Sequence, residues 1–141
     1  MSQALIERLK VSHQAIVDSI DRIQPLARNY MAAKPRVCEM RERLLAHFGG
    51  QDKELFERLS SFYQNDRQSI KMIEFLIHDL KEVKIRFLIF FEKYTGELAD
   101  RGSKDFPLDF IQLSKDMLSR IKVEEDYLLP LLDKLPELPL E

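Results

Sequence analysis

Helical periodicity constrains this chain more than any other feature. From about Gln68 to Tyr94, the residues Met72, Leu76, Leu80, Val83, Phe87, Phe90 and Tyr94 recur at steps of three and four. Those steps align them along one face of an α-helix and would scatter them over both faces of a strand. Three further segments carry the same pattern. Leu5, Leu9, His13, Ile16, Ile20 and Ile23 share a stripe on a helix predicted from about Ser2 to Ile23. Val37, Met40, Leu44, His47, Phe48, Gln51, Leu55, Leu59 and Phe62 share one on a helix predicted to open at Pro35, a residue suited to a first helical position. Met117, Arg120, Ile121, Glu124, Leu128 and Leu131 share the last, on a helix starting near Pro107. Four such stripes joined by short loops predict an all-α, up-down-up-down four-helix bundle.

The breaks between stripes set its boundaries. Pro25 is expected to kink or stop the first helix, with a weak continuation through "LARNYMAA". Gly49 and Gly50 interrupt the second stripe, each costing up to ~1 kcal/mol against alanine in a helix interior. Either a neighbouring helix approaches closely there or the helix is locally distorted. The segments "YQNDRQ" and "GELADRGSKDF" read as loops, Pro130 should kink or end the last helix, and "LPELPLE" reads as an extended tail. The expectation is one domain over residues 1–135 followed by a Pro-rich tail at 136–141.

Composition supports this and narrows the function. With 45% hydrophobic residues among 141 and only four glycines, the chain has material for one helical core. A net charge of -2 with both signs interspersed leaves no basic footprint for phosphates, so direct nucleic-acid binding is not expected. Cys38 has no partner for a disulfide and is expected to pack as a small, buried or half-buried hydrophobe. The N-terminal stretch lacks a signal-peptide core, and no segment approaches the roughly 20 apolar residues of a membrane span. A cytoplasmic protein without membrane contact is expected.

The polar residues on the apolar stripes carry the functional information. Arg120 and Glu124 lie one turn apart on a face that otherwise packs, and buried charges require partners or a metal. The inward polar set is His13, His47, Gln51, Arg120 and Glu124. The third stripe contributes none, and His78 lies among Lys71, Glu74, Lys81 and Glu82 on the solvated side. Phe75, Leu88 and Ile89 widen the apolar surface of that helix, to pack a fourth helix or to meet a protein partner.

The segments "LKVSHQAI", "LLAHFGGQDKELF" and "RIKVEEDYLLPLL", in this order, resemble the first, second and fourth signatures of hemerythrin-like, or HHE cation-binding, domains. The resemblance implies a four-helix bundle holding metal between its helices. It places His13 and His47 at ligand-histidine positions and Glu124 at a bridging-carboxylate position. It also places Gln51 where the other bridging carboxylate is expected, Arg120 where the fourth-helix histidine is expected, and Leu76 or Leu80 where the third helix would supply a histidine. A neutral amide and a guanidinium oppose the negative charge that a di-iron centre requires.

Two readings of the site follow. In the favoured one there is no cofactor, and Arg120 pairs with Glu124 while Gln51 completes a polar core. In the alternative, a single non-haem iron or zinc is held by His13, His47 and Glu124. The expected function is a hemerythrin-like sensory or binding module whose metal site is lost or reduced to one cation. The runs "LIERLKVSHQAIVD", "LFERL" and "RIKVEEDYLL" are also similar to anti-sigma regulators of the Rsd/AlgQ type, which implies, as the alternative, a regulator binding a transcription factor through its helical surface. No nucleophile, triad or paired-carboxylate arrangement supports an enzyme.

Overall fold

The computed structural model describes residues 3–51, 53–96 and 104–136. Among these, α1 (Gln3–Ile23), α2 (Tyr30–Gly49), α3 (Lys53–Phe62), α4 (Arg67–Thr95), α5 (Phe106–Val123) and α6 (Leu129–Asp133) build an all-α bundle, with a π turn over Glu124–Leu128 joining α5 to α6. The helices α1 and α2, α2 and α4, and α4 and α5 pack as sequential neighbours, and α1 meets α5 and α6 to close the ring. That is the expected up-down-up-down order, with α2 and α3 together forming the second leg. Residues 137–141, and with them most of the expected tail, lie outside the described residues.

The second leg begins earlier than expected. Asn29 caps α2, its side chain accepting from the Ala32 N–H at 3.2 Å, so the chain turns helical at Tyr30 and Pro35 lies inside the helix instead of opening it. The first helix accordingly ends at Ile23, and Pro25 sits in a 3₁₀ turn over Gln24–Leu26; "YMAA" belongs to α2 and does not continue α1. The leg then breaks at the glycines. A Cβ built on Gly49 meets nothing within 4 Å, and one on Gly50 meets only the carbonyl of its own His47 at 3.6 Å, so no neighbouring helix demands small residues there. The glycines mark a local distortion that ends α2 and lets the chain re-enter as α3.

Packing follows the stripes with local shifts. Ile6 is buried where Leu5 was expected to be, Ile73 where Met72 was, and Tyr63 in place of the half-exposed Phe62. Cys38 is exposed, because it follows Val37, which points into the core, by the roughly 100° that separates successive residues on a helix. At the last helix, Leu132 is fully buried and Leu131 only partly so. The π turn accounts for this: the Leu129 N–H bonds to the Glu124 carbonyl, five residues back, and the extra residue per turn rotates all that follows. Pro130 supplies the cause. It has no N–H for the Asp126 carbonyl and would crowd it in a regular helix, so the wider turn makes room and α6 continues to Asp133.

The bundle has two unlike ends. Around the start of α2, the rings of Tyr30, Phe90, Tyr94, Phe106 and Phe110 pack at centroid distances from 4.8 to 6.1 Å, mostly tilted or edge-on, and the Tyr30 hydroxyl donates to the Tyr94 carbonyl. The end of α2 carries His47 instead, and there the interior turns polar. No helix among the described residues is long and apolar enough to cross a membrane.

Candidate metal centre

All five inward polar residues read from the sequence meet in one buried cluster. His13 (α1) is 3% exposed, His47 (α2) 4%, Gln51 in the α2–α3 link 2%, Arg120 (α5) 1% and Glu124, at the start of the π turn, 0%. The first, second and last legs therefore deliver their polar residues to the same depth.

Glu124 is the hub. Its Oε1 receives Nε2 of His13 at 2.7 Å and Nε2 of His47 at 2.8 Å, while its Oε2 accepts from the Gln51 amide at 2.8 Å and from Arg120 Nε at 2.7 Å. Burial alone would raise the pKa of this carboxyl. The hydrogen bonds from both histidines and the charges of His47 and Arg120 outweigh that, holding it well below the ordinary carboxylate range. At His13, burial lowers the imidazole pKa, but hydrogen bonds and charge from Glu124 and Glu125 prevail and raise it above its usual value.

Arg120 is oriented inward, and its fork is filled. Beyond Glu124, Nη2 donates to Gln51 Oε1 at 2.9 Å, and Nη1 donates to the Leu76 carbonyl and to Asp79 Oδ2, both at 3.0 Å. Gln51 thus bridges Arg120 and Glu124, its amide donating to one and its carbonyl accepting from the other.

The third stripe does contribute a charge, contrary to the sequence reading. Asp79 sits beside Leu80 at the shoulder of the α4 stripe, with its side chain 26% exposed, and reaches Arg120. Its signal was an acid one position from the apolar face, within reach of a long buried cation. Two further partners were also missed: Ser12 Oγ lies 2.7 Å from His47 Nδ1, and Glu125 Oε2 lies 3.1 Å from His13 Nδ1. Both neighbour an inward residue in sequence, which is a weak signal on its own. His78 lies on the surface, 4.0 Å from Glu82, as expected.

One atom from each of His13, His47 and Glu124 lies within 4.8 Å of the other two, a spacing compatible with shared coordination of one cation. The family described as the hemerythrin HHE cation-binding domain matches residues 4–132, nearly the whole described bundle. The chain belongs to the hemerythrin HHE family. Its His/His/Glu cluster therefore lies within a domain of a cation-binding family. No curated protein and no solved structure matches this HHE domain significantly.

Proposed function

We propose that this HHE domain is a non-enzymatic sensory or binding module whose centre takes at most one divalent cation, with the Arg120 guanidinium in place of a second metal. The observation that carries this is the division of Glu124: one oxygen faces His13 and His47, and the other is bound by Arg120 and Gln51. His13 and His47 through Nε2, with Glu124 Oε1, form a nitrogen and oxygen donor set suited to iron or zinc. Iron held there would supply a centre that responds to redox state, and either metal would supply one open to a small ligand. The same residues do not fit a dinuclear centre. The second carboxylate is the amide of Gln51, and the fourth-helix donor is a cation already bonded to Gln51, Asp79, Leu76 and Glu124.

Metal analysis of protein grown with iron or zinc tests this directly. Up to one ion per chain, lost in His47→Ala, is the expected result; two irons per chain with a charge-transfer band on oxygenation would overturn it. A second reading, a regulator that docks on a protein, is favoured by the exposed Ile85, Leu88 and Ile89 of α4, which are 54%, 55% and 64% exposed. Retention of a transcription factor by wild-type protein but not by an Ile89→Asp variant would support that reading.

A further inference from the structure

Each candidate ligand histidine is braced at its outer nitrogen by a residue adjacent in sequence to another candidate ligand. Ser12, next to His13 on α1, meets Nδ1 of His47 on α2 at 2.7 Å. Glu125, next to Glu124, meets Nδ1 of His13 at 3.1 Å. The π turn makes the second contact reachable. Successive side chains on a regular helix diverge by about 100°, whereas a turn closed five residues back spreads more residues around each circuit and brings neighbours closer in angle. Glu124 and Glu125 therefore approach one imidazole from two sides.

We infer that Ser12 and Glu125 are positioning residues for cation binding: they fix the ring planes of His47 and His13 and take the Nδ1–H of each, leaving Nε2 to face the cation. The chemistry of the two partners suits that role. A carboxylate only accepts, so Glu125 favours the His13 form carrying hydrogen on Nδ1. A hydroxyl both donates and accepts, so Ser12 stays bonded to His47 whichever ring nitrogen carries the hydrogen. Neither ring has to give up its outer partner when its Nε2 releases its hydrogen to solvent and exchanges the bond to Glu124 for a metal. Such outer contacts commonly set metal affinity by about 10- to 100-fold.

This inference rests on the single-cation reading and is tested with Co(II), whose visible bands report both binding and coordination geometry. Glu125→Ala and Ser12→Ala are expected to weaken Co(II) binding by about 10-fold or more and to change the band pattern. Glu125→Gln and Ser12→Thr, which keep an acceptor oxygen in place, are expected to recover most of the loss. Thermal melting of the metal-free proteins separates this from a structural role, because the half-exposed Glu125 should leave the melting temperature nearly unchanged on truncation to alanine. If Ser12→Ala does not fold, the Glu125 pair carries the test. Wild-type binding with unchanged affinity and spectra in the alanine variants would overturn the positioning role and leave the single-cation reading intact. No Co(II) uptake by the wild type, or uptake undiminished in His13→Ala and His47→Ala, would overturn the single-cation site and the positioning role with it.

Discussion

Arg120 Nε lies 2.7 Å from Glu124 Oε2 while the two side chains are 1% and 0% exposed, an ion pair wholly inside the bundle. With arginine one turn before glutamate, the pair runs against the helix dipole, so its order on α5 does not recommend it. Its reason lies in its partners: each charge is satisfied on several sides, and neither has access to water.

Removing the cation should therefore be costly. Arg120→Ala in metal-free protein leaves Glu124 buried without its guanidinium and is expected to destabilise the fold by roughly 3 to 5 kcal/mol. Arg120→Lys keeps the charge but loses the fork and should fall between that variant and the wild type. Urea denaturation monitored by circular dichroism checks both, and an unchanged unfolding midpoint for Arg120→Ala would refute the buried pair as a structural element.

Rebuilding the family's donors should raise cation uptake. Arg120→His with Gln51→Glu replaces a positive and a neutral group by a ligand nitrogen and a carboxylate, and both changes favour a divalent cation. Zinc content after dialysis is expected to exceed that of the wild type. Equal content would mean that the charge at residues 51 and 120 does not control the site.

At the other end of the bundle, Asp109 governs an acid response. Burial raises its pKa, but the Tyr94 hydroxyl at 2.6 Å and the Lys93 ammonium at 2.9 Å donate to it, outweigh burial and hold it below the ordinary value. A depressed folded-state pKa contributes stability that is present above the unfolded value, about 3.9, and is lost as pH falls through the folded one. Asp109→Asn should flatten the stability profile below about pH 4. Its effect near pH 7 should be small, about 1 kcal/mol or less, because the ion pair is partly exposed. A profile that stays parallel to the wild type down to pH 2.5 would contradict this.

The glycines divide by their surroundings. Gly49 has open space and a helical backbone, so Gly49→Ala should stabilise the protein by about 0.4 to 1 kcal/mol through the unfolded chain. Gly96 differs, since an added Cβ would sit 2.7 Å from the Glu92 carbonyl oxygen, a backbone atom, and Gly96→Ala should destabilise by about 1 kcal/mol or more. Melting temperatures that move in the same direction for both variants would refute the distinction.

The helical class, the order of the legs and the inward set His13, His47, Gln51, Arg120 and Glu124 were legible from periodicity alone, because a 3.6-residue period places each residue on a face without reference to any neighbour. The sequence could not choose between two explanations of Gly49 and Gly50, since both cost a helix the same local propensity; only the empty space beside Gly49 decides for distortion. Nor could periodicity anticipate the π turn, which shifts the buried position from Leu131 to Leu132 by adding one residue to a turn. The contacts of Ser12, Asp79 and Glu125 lie beyond sequence for a further reason. Each sits at the edge of a stripe, where facing inward or outward depends on how far a side chain on another helix reaches, and that distance exists only once the helices have packed.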